Sequence, residues 1–275
     1  MNAISKTKKK RRTVIRGVAA VGFALGIVAG GQSAASADAT GPTIIGGTPA
    51  SESYEFTTAI DMTRDNGEVR FRCGGSLIDA QWVLTAAHCV HDFATGKTLD
   101  PALFHTRTGS ADRTTGGSTA EVTEVHVNPA YLANGRAGDL ALLRLDRKVP
   151  QKPIRLADNV GRPGTALRIV GWGYTSTDAT ELPKSLNQLD TTVRPARECV
   201  GGEFGIDTGD FCADNPGGVA GPCGGDSGTP AIRKVYGRWQ LVGADSRSLG
   251  DCGVTKEVLP SVPYHSGWIR AVVNG

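Results

Sequence analysis

The chain has 275 residues, of which 39% are hydrophobic, and this is enough for one large or two small domains with a buried core. Its formal net charge of +3 comes from one end, because residues 1–43 hold seven of the 30 basic side chains and one of the 27 acidic ones. The remaining 23 basic and 26 acidic side chains exclude general binding to nucleic acid or anionic membranes. The 37 glycines, the 6% aromatic content and the lack of a long helical periodicity favour an all-β fold.

The N-terminal residues have the three parts of an export signal. A basic run at residues 8–12 is followed by an apolar stretch at about residues 18–30 and by small residues that offer two cleavage sites. We predict a signal peptide over residues 1–39 and a short propeptide over residues 40–43. The two arginines that end the basic run also fit a twin-arginine signal, so both export routes remain open. No later segment has the roughly 20 apolar residues of a transmembrane helix, and we expect a secreted, extracellular protein with no membrane partner.

Short strands and turns follow in chain order. Apolar and polar residues alternate between Glu55 and Ile78, and Asp-Asn-Gly at residues 65–67 predicts a hairpin. Residues 92–120 are polar and rich in turn formers, so surface loops are predicted there. Prolines between residues 150 and 163 mark a crossing between two halves of similar strand content. A helix is predicted at about residues 265–273, and strands at residues 76–78, 82–85, 121–127, 140–145, 167–170, 187–193 and 239–244.

Six cysteines in an exported chain predict three disulfides, since an even count is typical of a bridged framework in an oxidising compartment. The sequence contains no Cys-x-x-Cys pair, which disfavours a zinc site. The pairing stays open at this point among the many that six cysteines allow.

Residues 221–230, read as Gly-Pro-Cys-Gly-Gly-Asp-Ser-Gly-Thr-Pro, form a tight loop that presents one serine hydroxyl. Glycines allow positive φ and a close approach of the backbone to a ligand. The N–H groups of Gly225 and Ser227 can therefore point to one spot beside the Ser227 hydroxyl, as an oxyanion hole requires. A nucleophilic serine also needs a base and a group that orients the base.

His88 and Asp139 are the best candidates for those two groups. His88 lies in a turn of small residues at a strand end, beside Cys89, whose cross-link would hold it in place. The other four histidines lack such an anchor and are interpreted as surface or structural residues. Asp139 leads into the apolar stretch at residues 140–143, so we expect it to be partly buried and to need a partner such as a histidine N–H.

Four motifs occur in order along the chain: Ile-Ile-Gly-Gly at residues 44–47, Thr-Ala-Ala-His-Cys at 85–89, Asp-Leu-Ala-Leu-Leu at 139–143 and Gly-Asp-Ser-Gly at 225–228. Together they resemble the chymotrypsin/trypsin family of serine proteases, whose chain order is also His, Asp, Ser. The resemblance implies a peptidase domain over residues 44–275 with two six-stranded antiparallel β-barrels, at about 44–150 and 151–262, and a C-terminal helix.

The resemblance also implies a role for each matching residue. Ser227 would be the nucleophile, His88 the general base and acid, and Asp139 the group that orients His88. The N–H groups of Gly225 and Ser227 would form the oxyanion hole, and Ser246 would support Asp139. The disulfides that it implies are Cys73 with Cys89, Cys199 with Cys212 and Cys223 with Cys252.

Activation by cleavage is a further implication. In the family, a new N-terminus at the first residue of the Ile-Ile-Gly-Gly motif folds inward and pairs with the aspartate before the serine. Here this would join Ile44 to Asp226, and the precursor would be an inactive zymogen. Thr43 precedes the cut, where trypsin-like zymogens have arginine or lysine, so self-activation by a trypsin-like activity is not expected.

The expected primary specificity pocket departs from the trypsin pattern, because Gly221 stands where trypsin has an aspartate. Counting back from the C-terminal helix places Glu257 on the opposite wall, where it would bind a substrate arginine or lysine. Counting from Cys252 places Gly253 there instead, with Glu257 in solvent and a preference for large apolar side chains. Both readings of the pocket remain open.

Ser246, Arg247 and Ser248 would form the strand that backs the substrate. Arg247 and Ser248 replace a tryptophan and a glycine of the family, and the charge of Arg247 would favour acidic residues upstream of the cut. The family's calcium loop has no matching pair of glutamates between His91 and Ser118, so no metal and no cofactor are expected.

These features predict a secreted serine endopeptidase that hydrolyses peptide bonds through an acyl-enzyme. Its partners would be polypeptide substrates and protein inhibitors of proteases, and the chain would be a monomer. The alternative is a catalytically silent binding protein on the same fold. An esterase reading has no support, because the strand and helix around the Gly-x-Ser-x-Gly elbow are missing.

Overall fold

The computed structural model describes residues 44–92, 95–202 and 204–275. The predicted signal peptide and propeptide, residues 1–39 and 40–43, lie outside these ranges. Within the ranges, every helix is too short or too polar to cross a membrane. The strands are β1 (Thr48–Pro49), β2 (Thr57–Thr63), β3 (Val69–Asp79), β4 (Trp82–Thr85), β5 (His91–Asp92), β6 (Lys97–Thr98), β7 (Phe104–Thr108), β8 (Ser118–Val127), β9 (Ala141–Leu145), β10 (Arg155–Leu156), β11 (Ala166–Gly171), β12 (Asn187–Arg194), β13 (Asp210–Ala213), β14 (Pro230–Val235), β15 (Arg238–Ala244), β16 (Arg247–Ser248) and β17 (Glu257–Pro260), and the α-helices are α1 (Pro129–Asn134) and α2 (Val262–Asn274).

The first half of the chain closes into an antiparallel barrel with the strand order β2, β3, β4, β9, β8, β7. Its first hairpin turns at the predicted Asp-Asn-Gly, where Gly67 has a φ of +80° that favours glycine and Arg64 N donates to Glu68 O at 2.9 Å. Alternating strand residues point inward and exclude water from the barrel. The fully buried side chains include Ile60, Leu77, Val83, Leu84, Phe104, Leu142 and Leu143.

The prediction of surface loops throughout residues 92–120 is wrong, because β7 is a strand of this barrel. Its inward positions are Phe104, Thr106 and Thr108, and the two threonines made the segment look polar. Thr106 Oγ1 donates to Ala120 O at 2.8 Å, and Thr108 Oγ1 lies 3.0 Å from Thr58 Oγ1. Since these hydroxyls are hydrogen-bonded, the barrel buries them at little cost.

The second half forms a sheet in the order β10, β15, β14, β11, β12, β13, β17, β16, with β1 added beside β12. Six of these strands have four or more residues, and β1, β10 and β16 have two each. All pairs are antiparallel except β10 with β15. The all-β class with a C-terminal helix is therefore confirmed. A separate core of this half contains Leu167, Ile169, Val193, Phe211, Val242 and Leu259.

Helix α2 begins at Val262, a few residues before the predicted start. Ser261 caps it, because its hydroxyl accepts a hydrogen bond from Tyr264 N at 3.2 Å. Pro263 lies in the first turn, where proline is tolerated because its missing N–H has no helical acceptor. Val262 and Ile269 are buried and fix the helix against the core.

Three disulfides cross-link the fold, and they join Cys73 to Cys89, Cys199 to Cys212 and Cys223 to Cys252. These are the pairs implied by the family resemblance. The first bridge ties β3 to the turn that carries His88, and the third crosses between the serine loop and the segment before β17.

Candidate active site

His88 is held at the rim of the barrel by a short turn after β4. Residues Ala87–Cys89 form one turn of 3-10 helix, and both Ala86 and Ala87 are fully buried. Small residues allow the turn to pack this tightly, and the bridge from Cys89 to Cys73 fixes it to β3. The His88 side chain keeps 26% exposure, so one edge of the ring faces the cleft.

Asp139 receives three hydrogen bonds in a site where it is 4% exposed. His88 N donates to Oδ1 at 2.9 Å, and His88 Nδ1 lies 2.7 Å from Oδ2. Ser246 Oγ donates to Oδ2 at 2.6 Å. The structure thus brings together His88, Asp139 and Ser246 from three distant parts of the sequence.

The protonation states of this group follow from its contacts. Burial alone would raise the pKa of Asp139, but the positive partner His88 and the hydrogen bonds from His88 and Ser246 lower it below its ordinary value. Burial alone would lower the pKa of His88, but the charge and hydrogen bond of Asp139 outweigh it and raise the pKa. An ionised Asp139 can only accept, so Nδ1 carries the proton and a neutral His88 has its free lone pair on Nε2.

The loop with Ser227 packs directly on the turn that carries His88. Gly228 has a φ of +77°, and a Cβ there would lie 2.2 Å from Thr85 Oγ1 and 2.9 Å from Ala86 N. Gly74 N donates to Ser227 O at 2.9 Å. The part of the chain that the structure describes has no hydrogen bond between Ser227 Oγ and His88. In unliganded enzymes such contacts are often long and tighten only with substrate.

The backbone N–H groups of Gly225 and Ser227 have no acceptor among residues 44–92, 95–202 and 204–275. The N–H groups between and after them are used, since Asp226 N donates to Cys223 O at 2.9 Å and Gly228 N donates to Asp245 O at 2.7 Å. Gly225 has a φ of +94°, which favours glycine and turns its amide out of the regular chain direction. This arrangement leaves a pair of donors for an oxygen of a ligand.

Asp226 is fully buried behind this loop. Its Oδ1 accepts from Gly173 N at 2.7 Å and its Oδ2 from Cys223 N at 3.1 Å. Burial raises its pKa to about 7, although both hydrogen bonds act in the opposite direction. Among the described residues neither a cation nor Ile44 pairs with it. Ile44 is itself buried, and the next residue, Ile45, accepts a hydrogen bond from Gly221 N at 3.0 Å.

Glu257 is 1% exposed, and its carboxylate lies close to Gly221. A Cβ on Gly221 would lie 3.2 Å from Glu257 Oε1 and 3.2 Å from Gly253 Cα. Both positions considered from the sequence therefore meet at Gly221. Ser248 Oγ lies 2.8 Å from each carboxylate oxygen of Glu257. Burial raises the pKa of Glu257 to about 8, and the Ser248 hydrogen bond offsets part of this rise.

Arg247 does not offer a free charge to a substrate. Its Nη2 donates to Asp210 Oδ2 and to Gly205 O, the latter at 3.1 Å, and its Nε donates to Phe204 O at 3.2 Å. The Asp210 side chain is fully buried and the Arg247 side chain is 11% exposed. The structure thus removes the basis for a preference for acidic residues upstream of the cut, since the charge of Arg247 is already compensated.

A cleft of about 660 Å³ lies next to His88, and one of its walls could not be identified from the sequence. This wall is formed by residues of α1, by Gly135 and Arg136 directly after it, and by the loop before β13. These segments carry no motif and are brought together only by the tertiary fold. The two sulfurs beside His88 belong to the disulfide of Cys73 and Cys89, so they are not thiolate ligands for a metal. The cleft is lined by His88, Tyr131, Asn134, Gly135, Arg136, Asp139, Phe204, Asp207, Ser246 and Arg247.

The family model for trypsin matches residues 44–269 of the chain. The chain belongs to the trypsin family. This trypsin-family chain is 27% identical over 258 residues to "CLIP domain-containing serine protease B4" of Anopheles gambiae, covering 82% of this chain and 69% of that relative. It is 32% identical over 215 residues to human "Kallikrein-14", covering 74% of this chain and 75% of that relative.

Proposed function

We propose that this chain is a secreted serine endopeptidase that hydrolyses peptide bonds through an acyl-enzyme. The observation that carries the proposal is the hydrogen-bonded group of His88, Asp139 and Ser246 next to the Ser227 loop with its two unused N–H groups. Family membership supports peptidase activity, and the three disulfides are typical of an oxidising compartment outside the cytoplasm.

In the proposed reaction, Ser227 Oγ attacks the carbonyl carbon of the scissile bond while His88 Nε2 takes the hydroxyl proton. The Gly225 and Ser227 N–H groups stabilise the negative charge on the substrate oxygen. Protonated His88 then gives the proton to the leaving amine, which breaks the peptide bond and leaves an ester on Ser227. Water, activated by His88, hydrolyses this ester, and Asp139 stabilises the imidazolium at both stages.

Activation by cleavage before Ile44 is part of the proposal. Asp226 is a buried carboxylate with a raised pKa and no cation partner in the described chain. The ammonium of a new N-terminus at Ile44 would neutralise it, and this pair cannot form while residues 40–43 remain attached. The same pair would hold the neighbouring Gly225 amide in place.

For specificity we propose that Glu257 binds a basic side chain at the residue before the cut. The support is its burial, its contact with Gly221 and the absence of a cation partner for it in the described ranges. A buried carboxylate without a cation is costly, and a bound arginine or lysine offsets that cost.

The test uses the protein starting at Ile44, the same protein with one extra residue before Ile44, and Ser227→Ala. Each is given a mixed peptide library and an organophosphonate that labels nucleophilic serines. We expect cuts after basic residues and labelling of the first protein, and loss of both in the other two. Cleavage unchanged by Ser227→Ala would contradict the mechanism. A wild-type protein that neither cuts nor is labelled would favour the silent binding protein, and full activity with the extra residue would contradict the zymogen.

A further inference from the structure

Asp245 is a second buried carboxylate near the proposed pocket. It follows β15 and is 5% exposed. Its backbone is fixed to the Ser227 loop, since Asp245 N donates to Thr229 O at 2.9 Å and Asp245 O accepts from Gly228 N at 2.7 Å. These two hydrogen bonds fix the segment that carries Asp245 to the loop that carries Ser227.

In the described chain, the fold does not supply a hydrogen-bond donor for one of the two carboxylate oxygens of Asp245. Its Oδ1 is inaccessible to solvent and has no hydrogen-bond partner among the described residues. A buried carboxylate oxygen without a donor costs free energy unless a ligand or a proton satisfies it. The charges that act on Asp245 most strongly are those of Glu257, Asp226 and Asp139, all negative. Its surroundings therefore favour a cation.

Glu257 lacks a cation as well, and within the described ranges its carboxylate accepts only from the Ser248 hydroxyl. Glu257 Oε1 lies close to Gly221, because a Cβ there would come within 3.2 Å of it. Asp139 and Asp226 already receive donors from His88, Ser246, Gly173 and Cys223. Asp245 and Glu257 thus have unused acceptor capacity and, among the described residues, no cation partner.

We propose that Asp245 is a second specificity residue, which acts with Glu257 to hold the guanidinium of a substrate arginine in preference to the ammonium of a lysine. The inference rests on the proposed peptidase function. A guanidinium is planar and has five N–H donors along its edges, so it can face two carboxylates at once. The ammonium of lysine is a compact charge and satisfies one carboxylate well.

The test compares three peptides that differ only before the cut, with arginine, lysine or the uncharged isostere citrulline. Asp245→Asn should lower kcat/KM for the arginine peptide by about tenfold or more, the lysine peptide by less, and leave the citrulline peptide nearly unchanged. The control is Asp61→Asn on β2, another aspartate whose pKa burial raises. It should leave all three values unchanged.

Two readouts keep this inference separate from the proposed function. Labelling of Ser227 by the organophosphonate reports the assembled nucleophile, and its failure in the wild-type protein would contradict the peptidase proposal. Normal labelling of Asp245→Asn with an unchanged ratio of arginine to lysine cleavage would overturn the role of Asp245. If that variant does not fold, Glu257→Gln carries the test: it should still prefer arginine to citrulline through Asp245, and loss of that preference would overturn the role.

Discussion

At the scale of single residues, the charge selection proposed for Glu257 depends on its raised pKa. Burial raises its pKa to about 8, so in the free protein it is mostly protonated at neutral pH. It faces Ser248, and the nearby acidic groups are Asp226 and Asp245. The form that binds a cation is the ionised one, which is populated only as the pH rises through this pKa.

The ratio of kcat/KM for an arginine peptide to that for its citrulline isostere should therefore rise with pH, with a midpoint at about 8, and level off roughly one pH unit above it. Because kcat/KM reports the free enzyme, the midpoint follows the empty pocket. Titration of His88 affects both peptides and cancels in the ratio. The measurement is the two rates from about pH 6 to about pH 10. Glu257→Gln should reduce the rise of the ratio, with Asp245 carrying what remains, and a wild-type ratio independent of pH would contradict the role of Glu257.

At the scale of elements, the tight contact between the loop that carries Ser227 and the turn that carries His88 sets how these two residues are placed relative to each other. A Cβ on Gly228 would overlap Thr85 Oγ1 at 2.2 Å, and Gly228 also has a φ of +77°. The loop can approach the turn only because this residue has no side chain. Any displacement here moves Ser227, the proposed nucleophile, relative to His88, the proposed base.

Gly228→Ala should reduce kcat by about 100-fold or more and destabilise the protein by about 2 kcal/mol. Gly237→Ala is the matched control, since Gly237 has a similar φ of +75° and open space around its Cβ position. It carries the backbone strain of about 1 kcal/mol without the overlap, and kcat should stay unchanged. Kinetics and thermal unfolding of both variants give the comparison. Equal effects in both would show that the tight contact is unimportant.

Elements in which apolar residues are dense could be predicted from the sequence, as in β4, β9, β11 and β12. Among those not predicted are β7, where threonines fill the barrel, and β14, which begins with Pro230 directly after the glycine loop. Motifs singled out His88, Asp139 and Ser227, because each stands in an unusual local pattern. The pairing of Arg247 with Asp210 and the burial of Asp245 could not be predicted, since they depend on contacts between residues far apart in the chain.

At the scale of the whole molecule, cleavage before Ile44 should change how stability depends on pH. Asp226 has a folded pKa of about 7, above the ordinary value of 3.8. The folded precursor therefore binds a proton that the unfolded chain has released between these values. As the pH rises through this window, Asp226 lowers the free energy of unfolding, by on the order of 4 kcal/mol at most. Below the window the cost is absent, and above it the cost is constant.

We expect a precursor that keeps residues before Ile44 to lose thermal stability between about pH 4 and about pH 8, and the protein starting at Ile44 to lose much less, because its ammonium stabilises the ionised carboxylate. Both are compared in the Ser227→Ala background, which prevents self-digestion. Glu257 and Asp245 also have raised pKa values and act in the same direction, so Asp226→Asn is measured beside each form. This variant should make the precursor's profile less steep, since Glu257 and Asp245 still titrate, and remove the difference between the two forms. A difference that survives in Asp226→Asn would mean that the new N-terminus acts through another group.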